Sequence, residues 1–317
     1  MIGLAEVRAA AERIAGRVHR TPVLASRSLD RALGCTVLAK AEHLQRGGSF
    51  KARGAFSALL ALDPATLARG LVAVSSGNHA QAVALAAAEL GAHALIVMPS
   101  DANPGKRAAT RAYGAEVLDQ GVTPATRERV VREVARERGL HLVHPFDDPQ
   151  VMAGQGTAAL ELLAEVGEVD AVLVPTGGGG LLSGTAAAVK GLAPRTRVIG
   201  VEPATAADAQ ASLRLGRRVT LPAVPVTIAD GVRAQAVGER PFEVIRALVD
   251  DIVTVTDDDV VAALALVWSR TKQLVEPSGV LPVAALATGA VRARRVGVVL
   301  SGGNVDAARL AALLAGG

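Results

Sequence analysis

Short Val/Ile/Leu runs alternate with Ala-rich stretches along most of this chain, and that alternation limits the fold more than any single motif. The runs LVAVSS, HALIVMPS, AVLVPTG, RVIGVEP and VGVVLSGG, at 71–76, 93–100, 171–177, 197–203 and 296–303, are apolar almost continuously. Strands written that way are buried on both faces, as in parallel sheets covered by helices. NHAQAVALAAAELG (78–91), TPATRERVVREVARERG (123–139) and GTAALELLAEVG (156–167) supply helices between them. The pattern predicts an α/β fold of parallel-type sheets covered by helices. With 317 residues the chain is long enough for two lobes. No linker separates them, so one lobe is expected to be inserted in the other: a large lobe of 1–65 and 147–317, and a small lobe of 66–146.

Composition excludes several kinds of partner. The net charge is only +4. The basic clusters RLGRR and RARR are short and hold no aromatic side chains to stack on bases, so no nucleic acid is expected. A single cysteine, Cys35, leaves no internal disulfide and no cysteine metal site, which fits a reducing, cytoplasmic setting. The charged N-terminal stretch lacks an apolar signal core. The longest uncharged run, 171–189, has the length of a membrane span, but Pro175 and four glycines interrupt it, so no membrane is expected.

Open parallel sheets bind ligands beyond the carboxyl ends of their strands. Three such ends stand out: SSGNHAQ (75–81), TGGGGLLSG (176–184) and SGGN (301–304). Gly177, Gly178, Gly179 and Gly180 follow a strand and precede a helix. Without Cβ atoms their N–H groups can converge on one anion, aided by the helix N-terminus. The loop lacks the Gly-Lys-Ser/Thr of a P-loop, and Leu182 and Ser183 stand where a dinucleotide fingerprint needs its third glycine. A merely flexible loop would have the same residues. Lys51, in LQRGGSFKARGAF, is one of five lysines among 34 basic residues. An amine can lose its proton and attack a carbonyl, whereas guanidinium stays charged. An ordinary surface lysine at a helix start is the plainer alternative. A phosphate cradle together with a nucleophilic lysine suggests a cofactor that is both phosphate and aldehyde, namely pyridoxal 5'-phosphate (PLP).

SFKARGA, SSGNHAQA, AGQGT, GGGG, TIADGV and SGGN, in this order and spacing, resemble the fold-type II PLP enzymes, whose fold is like that of the tryptophan synthase β subunit. More narrowly the chain is similar to the serine racemase and serine/threonine dehydratase group, from about Thr21 to Asn304. The resemblance implies that Lys51 holds PLP as a Schiff base and that Phe50 lies against it. Gly177 to Gly180, with Leu181, would bind the phosphate, Asn78 the ring hydroxyl, and Ser301 the pyridine nitrogen. Ser75, Ser76, Asn78 and His79 would grip the substrate carboxylate. Ser76 would face Lys51 as a second acid/base, unless it only caps the following helix. His79 is a further proton-carrier candidate. Glu202, the Ala206 carbonyl and Asp208 match a divalent-metal segment suited to Mg2+ or Ca2+; two solvated carboxylates are the alternative. Phe146 is dehydratase-like, and Arg46 and Gly47 match a nucleotide-activator segment poorly.

The implied activity is PLP-dependent elimination of water from L-serine or L-threonine, giving a 2-oxo acid and ammonia. Serine racemisation and dehydration of 3-hydroxyaspartate are close alternatives, and a non-catalytic PLP- or phosphate-binding protein is a remote one. The partner would be a small hydroxy amino acid, and a homodimer is expected.

Overall fold

The structure is a computed structural model and describes residues 1–100, 102, 104–123 and 126–315. Among the described residues ten strands form two sheets: β1 Val23–Leu24, β2 Thr36–Lys40, β3 Leu71–Val74, β4 Ala94–Val97, β5 Glu116–Leu118, β6 His141–Leu142, β7 Ala171–Pro175, β8 Arg197–Pro203, β9 Asp251–Val255 and β10 Arg295–Val299. One sheet has the order β1-β2-β10-β7-β8-β9, the other β5-β4-β3-β6. All pairs are parallel except β1 with β2. The five apolar runs became β3, β4, β7, β8 and β10. Four of them end early, where Ser75, Met98, Thr176 and Leu300 leave the sheet. The other five strands are short or carry polar residues. The helix expected over 123–139 spans Arg127–Arg138; Pro124 and Ala125 lie outside the described residues.

Continuous apolarity has the predicted consequence. Ala171 and Leu173 enter one core cluster while Val172 and Val174 enter another, so β7 is buried on both faces. Helices Asp257–Thr271 and Leu281–Ala287 cover the first face, and Pro149–Val166 and Gly180–Leu192 the second. The small sheet follows the same rule: Leu71 and Ala73 face helices Lys51–Leu60 and Asn78–Glu89, and Val72 and Val74 face Val131. Helix Lys51–Leu60 packs against both Asn78–Glu89 and Pro149–Val166, so it joins the two sheets. Among the described residues no helix is long and apolar enough to cross a membrane.

Candidate active site

Parallel pairing brings the three unusual strand ends into one cleft. β3 and β6 are neighbours, so Ser75–Ser76 and His144–Pro145 leave the small sheet side by side. β10 lies between β2 and β7, which sets SGGN beside the glycine loop. The lysine segment is tied to SGGN through the backbone. Phe50 N–H donates to the Ser301 carbonyl at 3.0 Å, and Ser49 and Gly302 form an isolated antiparallel bridge.

Lys51 opens its helix inside this cleft. Its Nζ donates to the Pro145 carbonyl at 2.7 Å and lies 5.2 Å from the centre of the Phe50 ring. Among the described residues no carboxylate answers it, and loss of water pulls the ammonium down to about 8. An amine with that value is partly neutral near physiological pH and so able to act as nucleophile or base.

The glycine loop is an array of unspent donors. Among the described residues, the N–H groups of Gly177 to Leu182 donate to nothing; the first returning bond is Ser183 N–H to the Gly179 carbonyl at 2.9 Å. Side chains are forbidden here by contact as much as by conformation. A Cβ on Gly178 would stand 2.2 Å from the Phe146 ring, and Gly179, with φ +89°, would in addition be strained. Phe146 thus packs on the loop that the resemblance assigns to phosphate.

At the SSGNHAQ turn, Ser75 Oγ accepts the Gly77 N–H at 3.1 Å. The N–H groups of Ser76, Asn78 and His79 have no acceptor among the described residues and remain available to a carboxylate. Helix Asn78–Glu89 has Gly77 at its N-cap and no side-chain cap, so Ser76 does not cap it. His79 does not suit proton transfer. It is buried, its Nε2 donates to the Val143 carbonyl at 3.0 Å, and burial together with Lys51 pushes its pKa down to about 3. That leaves the backbone N–H as its contribution. His144, which carries no signal in the sequence, accepts the Asp147 N–H on Nδ1 at 2.8 Å, which fixes its proton on Nε2; burial lowers its pKa as well.

Ser301 is buried at the end of the run that follows β10. The amide of Asn78 is held on both sides: Nδ2 donates to Glu276 Oε1 at 2.8 Å, and Oδ1 accepts from Asn304 Nδ2 at 2.9 Å. Glu276 also escapes a reading of the sequence. The one available signal is an isolated acid in the apolar stretch LVEPSGV. Lys106 pairs with Asp230 across the cleft mouth at 2.6 Å, linking helix Pro104–Ala112 of the small sheet to the segment that carries TIADGV.

Glu202 lies within β8, and Asp208 opens the helix Asp208–Leu215 that follows it. Both are buried. Glu202 accepts the N–H groups of Ala209 (3.1 Å) and Gln210 (2.8 Å). Both Asp208 oxygens lack a partner within hydrogen-bond geometry, although the Val237 N–H and its own N–H lean toward them. Burial drives the Glu202 pKa well up, with Asp208 adding to it, and raises Asp208 to about 7. Two buried acids with no cation beside them among the described residues are not the solvated pair of the plainer reading. Their carboxylates, with the buried Ala206 nearby, fit a hard divalent ion.

Comparison with known proteins decides the family: the one described as "Pyridoxal-phosphate dependent enzyme" matches residues 14–302. The chain belongs to it. Similar relatives include L-threo-3-hydroxyaspartate ammonia-lyase from Pseudomonas sp, 48% identical over 97% of each chain. Serine racemase from Schizosaccharomyces pombe is 44% identical over 98% of this chain and 96% of its own. The crystal structure of the T.th. threonine deaminase superposes with a TM-score of 0.93 at 55% identity, covering 96% of this chain and 99% of that one. These relatives are named for elimination and racemisation, the reactions that the sequence motifs imply.

Proposed function

We propose that this protein is a hydroxy-amino-acid ammonia-lyase that eliminates water from L-serine or L-threonine to give a 2-oxo acid and ammonia. The observation that carries the reading is Lys51: a desolvated amine without a counter-ion among the described residues, in one cleft with a six-donor glycine loop. A second reading, dehydration of 3-hydroxyaspartate, is favoured by the 48% and 46% identity to ammonia-lyases of that name. Racemisation of serine is a side activity that Ser76 could support.

Lys51 would hold the cofactor covalently, and the N–H groups of Gly177 to Leu181 would take its phosphate. One N–H of Asn78 would meet a ring oxygen, the Ser301 hydroxyl the pyridine nitrogen, and Phe50 would wall the ring. Bound PLP supplies an electron sink for the bond broken at the substrate α-carbon. The N–H groups of Ser76, Asn78 and His79, with the Ser75 hydroxyl, would bind the carboxylate. Lys51, once freed, would remove the α-proton, and Ser76 would serve the opposite face. Ser301 would offer the pyridine nitrogen a hydroxyl where an aspartate would offer a carboxylate, so this chain would place no charged partner there.

The wider reading has further parts: a lobe of 66–146 inserted in one of 1–65 and 147–317, Mg2+ or Ca2+ at Glu202, Ala206 and Asp208, a homodimer, and a cytoplasmic location. Purified protein should be yellow and bleach with borohydride. It should release 2-oxo acid from L-threonine and L-serine faster than from L-threo-3-hydroxyaspartate. The reverse order would move the assignment to the second reading, and no release from any of the three would leave a binding protein.

A further inference from the structure

Glu276 ends a short polar wire whose polarity is fixed. The Gly47 carbonyl can only accept, so the Asn304 nitrogen, 2.7 Å away, is the donor. The same nitrogen gives its second hydrogen to Asn78 Oδ1 at 2.9 Å. With Oδ1 committed there, Asn78 turns its nitrogen to Glu276 Oε1 at 2.8 Å. An amide nitrogen carries two hydrogens, and the second on Asn78 has no partner among the described residues. The acceptor-only Gly47 carbonyl at one end and the Glu276 carboxyl oxygen at the other therefore fix an amide that would otherwise be free to flip.

The acceptor at the far end is held firmly. Glu276 is buried, its N–H donates to the Gly302 carbonyl at 2.9 Å, and the Asn304 N–H leans toward its carboxylate. The fit leaves no space: a Cβ on Gly302 would lie 2.4 Å from Glu276 Oε1 and 3.1 Å from Asn78 Nδ2. Among the charged groups facing it, Asp230 repels the carboxylate and Lys106 attracts it, and Arg309 stands 3.5 Å from Asp230 on its outer side. Burial, reinforced by Asp230, raises Glu276 to about 7.

We propose that Glu276 is a positioning residue: by accepting from Asn78 it locks that amide in the one orientation that leaves an N–H for a ring oxygen of the cofactor. This rests on the PLP reading of the site. Were the amide to flip, its carbonyl oxygen would face the ring oxygen instead, and an attraction would become a repulsion. Glu276 then acts on the cofactor without touching it, and its effect vanishes once Asn78 has no amide to orient.

The test is a double-mutant cycle read by PLP binding and by the absorption band of the bound cofactor, with turnover as a third readout. Asn78→Ala and Glu276→Ala should each weaken PLP binding by about 5–10-fold, the size of one hydrogen bond. The double variant should be no weaker than Asn78→Ala alone. Glu276→Gln, which keeps an acceptor oxygen, should restore most of the loss and return the band to its wild-type position. Additive losses, or a Glu276→Gln variant as impaired as Glu276→Ala, would overturn the proposal. Should Glu276→Ala fail to fold, Asn304→Ala cuts the wire on its other side and replaces it in the cycle, with the same non-additivity expected. If even wild type takes up no PLP, the reading of the whole site falls; PLP uptake with additive losses overturns this inference alone.

Discussion

Lys51 and Arg53 begin the same helix two residues apart, and their surroundings could hardly differ more. Arg53 is fully buried and spends its guanidinium on Glu42 (2.7 and 2.8 Å), Glu161 (2.7 and 2.8 Å) and Thr157 (3.1 Å). Lys40, also fully buried, shares Glu161 at 2.7 Å and donates to the Thr21 carbonyl, so two cations face two carboxylates. Burial alone would lower the Arg53 pKa, but Glu42 and Glu161 outweigh it and the net shift is upward. Among the described residues Lys51 has one carbonyl and no acid, and burial wins. Desolvation is common to both, and the counter-ion decides the outcome. A paired cation anchors a helix, whereas an unpaired amine is kept reactive.

The unpaired side should show the largest effect when broken. Lys51→Ala is expected to lower turnover by at least about 10⁴-fold, the upper end for one positioned acid/base, because cofactor attachment is lost too. Its melting temperature without cofactor should stay at or above that of wild type, since no ion pair is lost. A variant that keeps the wild-type absorption band would place the reactive amine elsewhere.

Ser76 sharpens the same side by asking whether Lys51 works alone. Ser76→Ala should reduce D-serine formation from L-serine, and elimination from D-serine, by about 10²–10⁴-fold, while elimination from L-serine falls much less. Parallel rates on the two enantiomers measure this, and equal fractional losses would remove Ser76 from proton transfer.

On the paired side the response should be structural. Arg53→Met leaves buried Glu42 and partly buried Glu161 beside Lys40 alone, and breaking a buried pair costs about 3–5 kcal/mol. Denaturant unfolding of the cofactor-free protein should show that loss. A loss below about 1 kcal/mol, the size of an exposed ion pair, would mean that the cluster rearranges around Lys40.

The Glu202–Asp208 pair inverts the comparison, with acids lacking their cation. Without metal, the folded protein holds a proton on Asp208 up to about pH 7, whereas the unfolded chain releases it near its ordinary value of 3.8. The native state therefore binds more protons in between, and stability should fall as pH rises through that window. Mg2+ or Ca2+ requires both carboxylates ionised, so its stabilisation should grow as pH rises. At about 100 times the dissociation constant it amounts to about 2.7 kcal/mol. Melting curves from about pH 5 to 8, in EDTA and in metal, should diverge with pH, and Asp208→Asn should abolish the divergence. Parallel curves would leave the pair without a metal.

What the chain's order alone determined was the layering and the location of the chemistry. Runs such as AVLVP and VGVV are apolar on successive residues, which a sheet open to water on one face does not tolerate. Glycines and Ser/Asn at strand ends mark where backbone donors lie exposed. Lys51, the glycine loop and SGGN were legible because each is a local departure from its surroundings. The tertiary structure decided everything that depends on partners far along the chain. Whether a cation is reactive or anchored depends on acids as distant as Glu161, 108 residues beyond Arg53. His79 is neutral because folding buries it beside Lys51, and its donor reaches the Val143 carbonyl, 64 residues on. Glu276 joined the site through Asn78, 198 residues before it. Charge, burial and hydrogen bonding act through space. A sequence names the groups in order, but only folding sets which of them meet, and the meeting fixes the pKa.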